Sequence, residues 1–201
     1  MKTIETTLTT QAVFSEDETK RYLLKKTWNT SLPKLTICML APSIASGIEL
    51  DSTTSLVLNN ASTLGFGSVS IVNLFATLGD FTLSEAEAED PENMNAILNA
   101  CKDADLIIYA PGVGKAKLQA FQERSKQVLE CLHPYEKKLK CLTSASGKAK
   151  LLHPLCPAVR KWDHFAEIRI SDLLPVTDTV DPKTPPKKKG KPLVIKKEAS
   201  A

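Results

Sequence analysis

The chain has 201 residues, 42% of them hydrophobic, which suffices for one sizeable core plus tails. Its formal net charge of +3 is unevenly spread, because residues 181–201 hold seven lysines against Asp181 and Glu198, a local net of +5 that leaves residues 1–180 at −2. Five cysteines without a CxxC pair, and no apolar run approaching the ~20 residues of a membrane span, argue against a disulfide framework, a zinc ribbon and a transmembrane protein.

In chain order, TTLTTQAVF at 6–14 and RYLLKKTW at 21–28 are β-branched or apolar stretches separated by the polar run from Ser15 to Lys20. Such a pair predicts a hairpin at one edge of a sheet. LTICMLA at 35–41 is an unbroken apolar run of strand length, the signature of a parallel strand covered on both faces. The segment from Ser52 to Leu64 reads as a helix with Asp51 or Ser52 as N-cap and Gly65 as its stop, placing Leu56, Asn60 and Thr63 on adjoining turns. SVSIVNLFA at 68–76 is a second core strand, and Asp90 followed by Pro91 starts a helix through PENMNAILNACKDA. DLIIYA at 105–110 is the third core strand. It leads through Gly112 and Gly114 into the longest helix, with Leu118, Phe121, Ser125, Val128, Leu129 and Leu132 at helical spacing. KLKCLT at 138–143 and AEIRISDLL at 166–174 read as a fourth strand and a fifth short extended element.

This alternation predicts an α/β domain over residues 1–176, a doubly wound and mainly parallel sheet flanked by helices. Beyond it, residues 177–201 interleave Pro182, Pro185, Pro186 and Pro192 with lysines and predict a disordered basic tail. Ligands of such sheets bind in the loops beyond the carboxyl ends of the strands. Four loops qualify: 42–52, 76–90, 111–115 and 144–155.

YAPGVGK has the context of a phosphate loop but not the pattern, since Tyr109 stands where GxxxxGK[ST] needs its first glycine and Ala116 where it needs the hydroxyl. Gly112 and Gly114 then read as a tight strand-to-helix turn whose free N–H groups could accept an anion. His133, His153 and His164 lack the spacing of a metal site, so neither a metal nor a cofactor is expected. Asn73 interrupts an apolar strand near its carboxyl end, and a buried amide needs partners. It is either a structural bridge to a neighbouring loop or a reader of a planar ligand.

Taken together, RYLLKKTW, ICMLAPSIASGIELDSTT, GFGSVSIVNLFAT, DADLIIYAPGVGK and SGKAKLLHPL resemble the domain-of-unknown-function 1643 family over residues 21–155, VNLFA and HPL most closely. That family is similar in organisation to the uracil-DNA glycosylase superfamily. The resemblance implies a first loop containing Pro42 and Ser43, a base-reading Asn73 and an HP loop with His153. It also exposes departures: Ala41 and Ser46 stand where the family has Asn and Asp, which removes groups that would orient a hydrolytic water. Glu49 and Asp51 remain nearby at a different spacing, so Asp51 with His153 is the candidate pair if the protein is an enzyme.

A degenerate site suits a non-catalytic nucleic-acid-binding protein better, and single-stranded RNA is favoured over DNA, with weak sequence specificity. Expected contacts are Pro42, Ser43, Asn73, Phe75, Lys115, Lys148, Lys150 and His153, with Lys187, Lys188, Lys189 and Lys191 of the tail. Phe66, Tyr109 and Trp162 add aromatic surface for stacking. A polycationic tail also suits self-association or condensation with RNA. The alternatives are a base glycosylase or nucleotide-processing hydrolase, and a protein-interaction module. MKTIETTLTT lacks a signal-peptide core, so a cytoplasmic protein without a membrane partner is expected, in a bacterial host if a large bacteriophage is its source.

Overall fold

The computed structural model describes residues 1–43, 47–79, 90–114 and 119–173. Strands β1 (Thr9–Phe14), β2 (Arg21–Thr27), β3 (Lys34–Met39), β4 (Ser68–Asn73), β5 (Leu106–Tyr109), β6 (Leu139–Leu142) and β7 (Phe165–Glu167) form one sheet in the order β1-β2-β4-β3-β5-β6-β7. The helices are α1 (Ser52–Thr63), α2 (Pro91–Lys102), α3 (Gln119–Leu132) and the single turn α4 (Ile170–Leu173).

The predicted α/β class holds, with one correction to the sheet. Its four central strands, β4, β3, β5 and β6, are parallel, whereas β1, β2 and β7 join antiparallel at the two edges. At one edge the reason is connection length: the short loop 15–20 makes β1 and β2 a hairpin, while β3 to β4 and β4 to β5 cross over through α1 and α2 and run parallel. AEIRISDLL is corrected as well, because only Phe165–Glu167 is extended and Ile170–Leu173 turns into helix. The tail from 177 to 201 lies outside the described residues.

Each crossover helix is set by its caps. Asp51 is the N-cap of α1, its carboxylate accepting the Thr54 amide at 2.6 Å, and Gly65, at φ +83°, takes the left-handed conformation that ends the helix. Asp90 caps α2 by accepting from Glu92 and Asn93, with Pro91 at the first helical position, and its second oxygen pairs with Lys20 at 2.8 Å. Burial alone would raise the Asp90 carboxyl, but the hydrogen bonds from Lys20, Asn93 and Glu92 outweigh it and hold the group below its ordinary value.

Both faces of the sheet are covered. On one, Val57 and Ala61 of α1 pack with Ile37, Val69, Ile71 and Trp162; on the other, Ile97 and Cys101 of α2 and Val128 and Leu129 of α3 pack with Cys38, Val72, Leu74 and Tyr109. Helix α1 therefore buries Thr54, Val57 and Ala61, and the row of Leu56, Asn60 and Thr63 lies toward the outside. Three cysteines, Cys38, Cys101 and Cys141, are the buried small hydrophobes the sequence suggests, while Cys131 is exposed.

Winding reverses at β3. The chain leaves β3 toward α1 on one face, and it leaves β4 and β5 toward α2 and α3 on the other. Ligands of doubly wound sheets bind where such loops part.

Two buried polar side chains fix the end of β4 at this end of the sheet. Asn93 of α2 donates through Nδ2 to the carbonyls of Asn73 at 3.2 Å and Leu74 at 3.0 Å, and Arg124 of α3 donates through Nε to the Leu74 carbonyl at 2.8 Å. Replacing Asn93 with Leu strips the Asn73 carbonyl of its side-chain donor. The expected cost is about 1–3 kcal/mol, read as a lower midpoint in urea unfolding at unchanged slope.

Candidate functional site

Asn73 is the last residue of β4 and shares its phase with Val69 and Ile71, so it belongs to the α1 face of the sheet at the carboxyl end. It is 1% exposed, and among the described residues neither Oδ1 nor Nδ2 finds a hydrogen-bond partner. The structural-bridge expectation for its side chain is thereby not met. What bridges to the neighbouring helix is the backbone carbonyl, through Asn93. A buried amide without partners costs roughly 1–3 kcal/mol, and a protein keeps one where something outside the chain supplies the bonds.

Asp51 reaches the same end and face as the first capping residue of α1. Burial works to raise its carboxyl, yet hydrogen bonds from Ser43, Thr54 and Thr53 prevail and keep it ionised below the usual carboxylate value. Pro42 is buried and Ser43 half-buried in the loop after β3, while Glu49 is exposed. The loop is also held from behind, where Lys26 of β2, itself buried, donates to Thr10 Oγ1 at 2.8 Å and to the carbonyl of Gly47.

His153 arrives from the loop after β6. Its neighbour Leu152 packs into the α1-side core, and Gly112, at φ +78°, sits so close that a Cβ there would meet His153 Cβ at 3.2 Å. The Gly112 amide donates to the Leu151 carbonyl at 3.1 Å, locking the third and fourth loops together. His153 Nδ1 accepts the Leu155 amide at 3.2 Å, so the neutral ring carries its proton on Nε2. Burial lowers the imidazole pKa, with the Asp51 charge opposing. Asp51 also supports the charge of Arg21, which is buried at the start of β2 and whose pKa burial lowers.

The arrangement thus gathers an unpartnered amide, a neutral imidazole donor, an ionised carboxylate and a guanidinium at one end of the sheet. Lys148 and Lys150 are exposed beyond a tight turn in which the Gly147 amide donates to the Ser144 carbonyl. Phe75, in contrast, is fully buried with Leu74, Ile97 and Tyr109 and offers no ring face to a base. Tyr109 and Trp162 are buried as well, and Phe66 is half-buried. Lys115, Lys187, Lys188, Lys189 and Lys191 lie outside the described residues, as do 44–46 and 80–89 of the first two loops. No group of three or more metal-ligating side chains occurs among the described residues. A separate groove of about 530 Å³ lies between α2 and the hairpin and includes none of the predicted site residues.

Residues 21–155 match the model of a family described as "Protein of unknown function (DUF1643)". The chain belongs to that family. A search of the curated proteins gives no match, and neither does one of the solved structures. The DUF1643 segment begins at Arg21 and closes just past His153, so it contains the whole gathering of polar groups.

Four residues of the site were not singled out from the sequence. Arg21 and Lys26 sit in RYLLKK, where a charged residue in a strand next to an edge reads as solvent-facing, and Asn93 and Arg124 sit on helices whose apolar rows draw attention elsewhere. The detectable signal was at Arg124, which falls at helical spacing between Phe121 and Val128 on the buried face.

Replacing Asn73 with Leu removes an unpaired amide at similar volume. Stability should rise by about 1 kcal/mol, or roughly 2–4 °C in melting temperature for a domain of this size, instead of falling as it would for a bonded core asparagine. Thermal unfolding of the two proteins decides the sign.

His153 supplies a pH signature. Its pKa in the folded state lies below the ordinary 6.5, so as pH falls the unfolded chain takes up the proton first and the folded state loses stability from about neutrality downward. Exchanging His153 for Gln should narrow the difference between urea midpoints measured near pH 7.5 and near pH 5.5. An undiminished difference would place that proton uptake on another group.

Proposed function

We propose that the protein binds a single nucleic-acid strand across the carboxyl end of its sheet, seating one base against the Asn73 amide without cleaving it. The supporting observation is that amide, which is 99% shielded and has both its donor and its acceptor unused. A side-chain amide offers one of each in a plane, the complement of a base edge. His153 Nε2–H adds a neutral donor, and Lys148 and Lys150 are available for phosphates. Single-stranded RNA is the preferred partner, because an unstacked base can reach this end of the sheet without breaking a duplex. Lys187, Lys188, Lys189 and Lys191 would add sequence-independent phosphate contacts, and with them steep salt dependence and a capacity for condensation with RNA.

A scaffold of the uracil-DNA glycosylase kind belongs to the same proposal. What supports it is the set of four parallel strands whose loops collect Ser43, Asn73 and His153 at one end. A second reading, hydrolysis of a glycosidic or related bond, is favoured by one observation: the Asp51 charge is felt at His153. Against it stands the lowered pKa of Asp51: Oδ1 caps α1 while Oδ2 is buried without a partner among the described residues, and hydrogen bonds led by Ser43 hold the carboxylate ionised, which makes it a weak base. No helix among the described residues is long and apolar enough to cross a membrane, and a cytoplasmic location in a bacterial or phage-infected cell is the setting proposed with this function.

The test is titration of a short labelled single-stranded RNA at ~50 mM and ~200 mM salt. Binding should weaken at least tenfold across that range. Exchange of Asn73 for Leu should lower affinity about tenfold at both salts, as a lost base contact does, while deletion of residues 181–201 should flatten the salt slope. Absence of binding to RNA and DNA at the lower salt would overturn the reading, and release of free base from a uracil-containing strand at enzymatic rates would replace it with the second.

A further inference from the structure

We infer that the outer flank of α1, with Arg160 and Lys161, is a track for the sugar–phosphate backbone of the strand bound at the candidate site. This inference rests on the nucleic-acid reading above and assigns to it a surface outside the predicted loops.

The helix itself is unusual. STTSLVLNNAST contains no charged residue in 12, although the solvent face of a surface helix is ordinarily its charged face. Hydroxyls and amides stand there instead: Ser52, Ser55 and Asn59 follow one another at intervals of three or four along one side, and Thr63, whose hydroxyl donates to the Asn59 carbonyl at 2.8 Å, ends the row. These are poor helix formers, and α1 keeps its shape through the Asp51 cap and the packing of Val57 and Ala61. Short neutral donors at this spacing are the side chains that contact phosphate and sugar oxygens.

Two cations are held beside that row. Arg160 and Lys161 are exposed, but the backbone that carries them is fastened to the helix by Asn60, whose Nδ2 donates to the Arg160 carbonyl at 3.0 Å and whose Oδ1 accepts the Trp162 amide at 3.0 Å. Val159 and Trp162, both buried, anchor the segment on either side. The groove between the helix and this segment has a volume of about 430 Å³, and no acidic side chain is among the residues that line it.

Position completes the argument. Ser52 follows Asp51 directly, so the groove starts at the candidate site and runs along α1, about 18 Å for 12 residues, space for several phosphates. Singly charged diesters, strung along a line, fit a row of neutral donors with two flanking cations. A lone dianionic phosphate favours a converging arginine cluster, which this surface lacks.

The experiment compares wild type, an Arg160→Ala/Lys161→Ala variant and a Ser55→Ala/Asn59→Ala variant by titration with the same single-stranded RNA over ~50–200 mM salt. A Lys102→Ala/Lys137→Ala variant, altered at two exposed lysines elsewhere, controls for net charge. With about 0.7 counterions released per phosphate contact, the Arg160/Lys161 variant should bind on the order of 25-fold more weakly at ~0.1 M salt, with a slope shallower by about 1.4, and the lysine control should match wild type. The Ser55/Asn59 variant should lose affinity with its slope intact. If wild type binds and the Arg160/Lys161 variant keeps both affinity and slope, the track is wrong while the binding site stands. If loss is equal in the lysine control, only general charge is at work and the track is again refuted. If wild type binds no strand at all, the function on which the track rests falls with it.

Discussion

The carboxyl end of this sheet depends on two carbonyl groups. Those of Asn73 and Leu74 emerge where β4 stops, below water's reach, and unpaired they would be as costly as any lost core contact. Asn93 and Arg124, one from each helix of the opposite face, take them. Because the backbone is satisfied from that side, the Asn73 side chain is left pointing to the α1 face with its own bonds unused. A buried polar group of one face thereby positions an unpaired one on the other. The amides of Leu74 and Phe75 complete the fixation by donating to Met39 and Leu40, so the first and second loops leave the sheet as a unit.

Electrostatics in this region is arranged around Asp51. Its carboxylate is a counter-charge to both Arg21 and His153, and each of those groups is pulled by burial toward its neutral form. Local amides and hydroxyls keep Asp51 ionised, and through it the site retains one fixed negative charge between two basic groups. Lys148, Lys150, Arg160 and Lys161 are exposed, whereas this carboxylate is half-buried. Under the proposed function, that polarity suits a chain lying along the exposed lysines and arginine with a neutral base inserted.

Much of this was legible from the residues. The unbroken apolar runs at 35–41, 68–76 and 105–110 became the central strands, and Asp51, Asp90, Pro91 and Gly65 marked their helix ends by the capping chemistry that placed them there. Edge polarity was not legible at β7, since a three-residue strand carries too short a pattern to distinguish from a following turn of helix. Asn73 stood out because a polar residue in an apolar strand breaks the local rule, and His153 because HPL matches the pattern of the family it resembles. Phe75 misled for the opposite reason: it sits two residues after the strand's polar break, where alternation would put it on the Asn73 face, but it lies beyond the end of β4 and packs in the opposite core. Arg21 and Lys26 were invisible, because their burial depends on a loop and a hairpin distant in sequence coming to cover them.

The close approach of Gly112 to His153 ties together the inheritance of two loops. Any side chain at 112 would need both a disfavoured backbone conformation and a small shift of His153 at its Cβ, so mutations in one loop are filtered by the shape of the other. Relatives are then expected to vary these segments jointly. A chimaera that transplants the HP loop from another member should carry over its glycine turn too, as a matched pair.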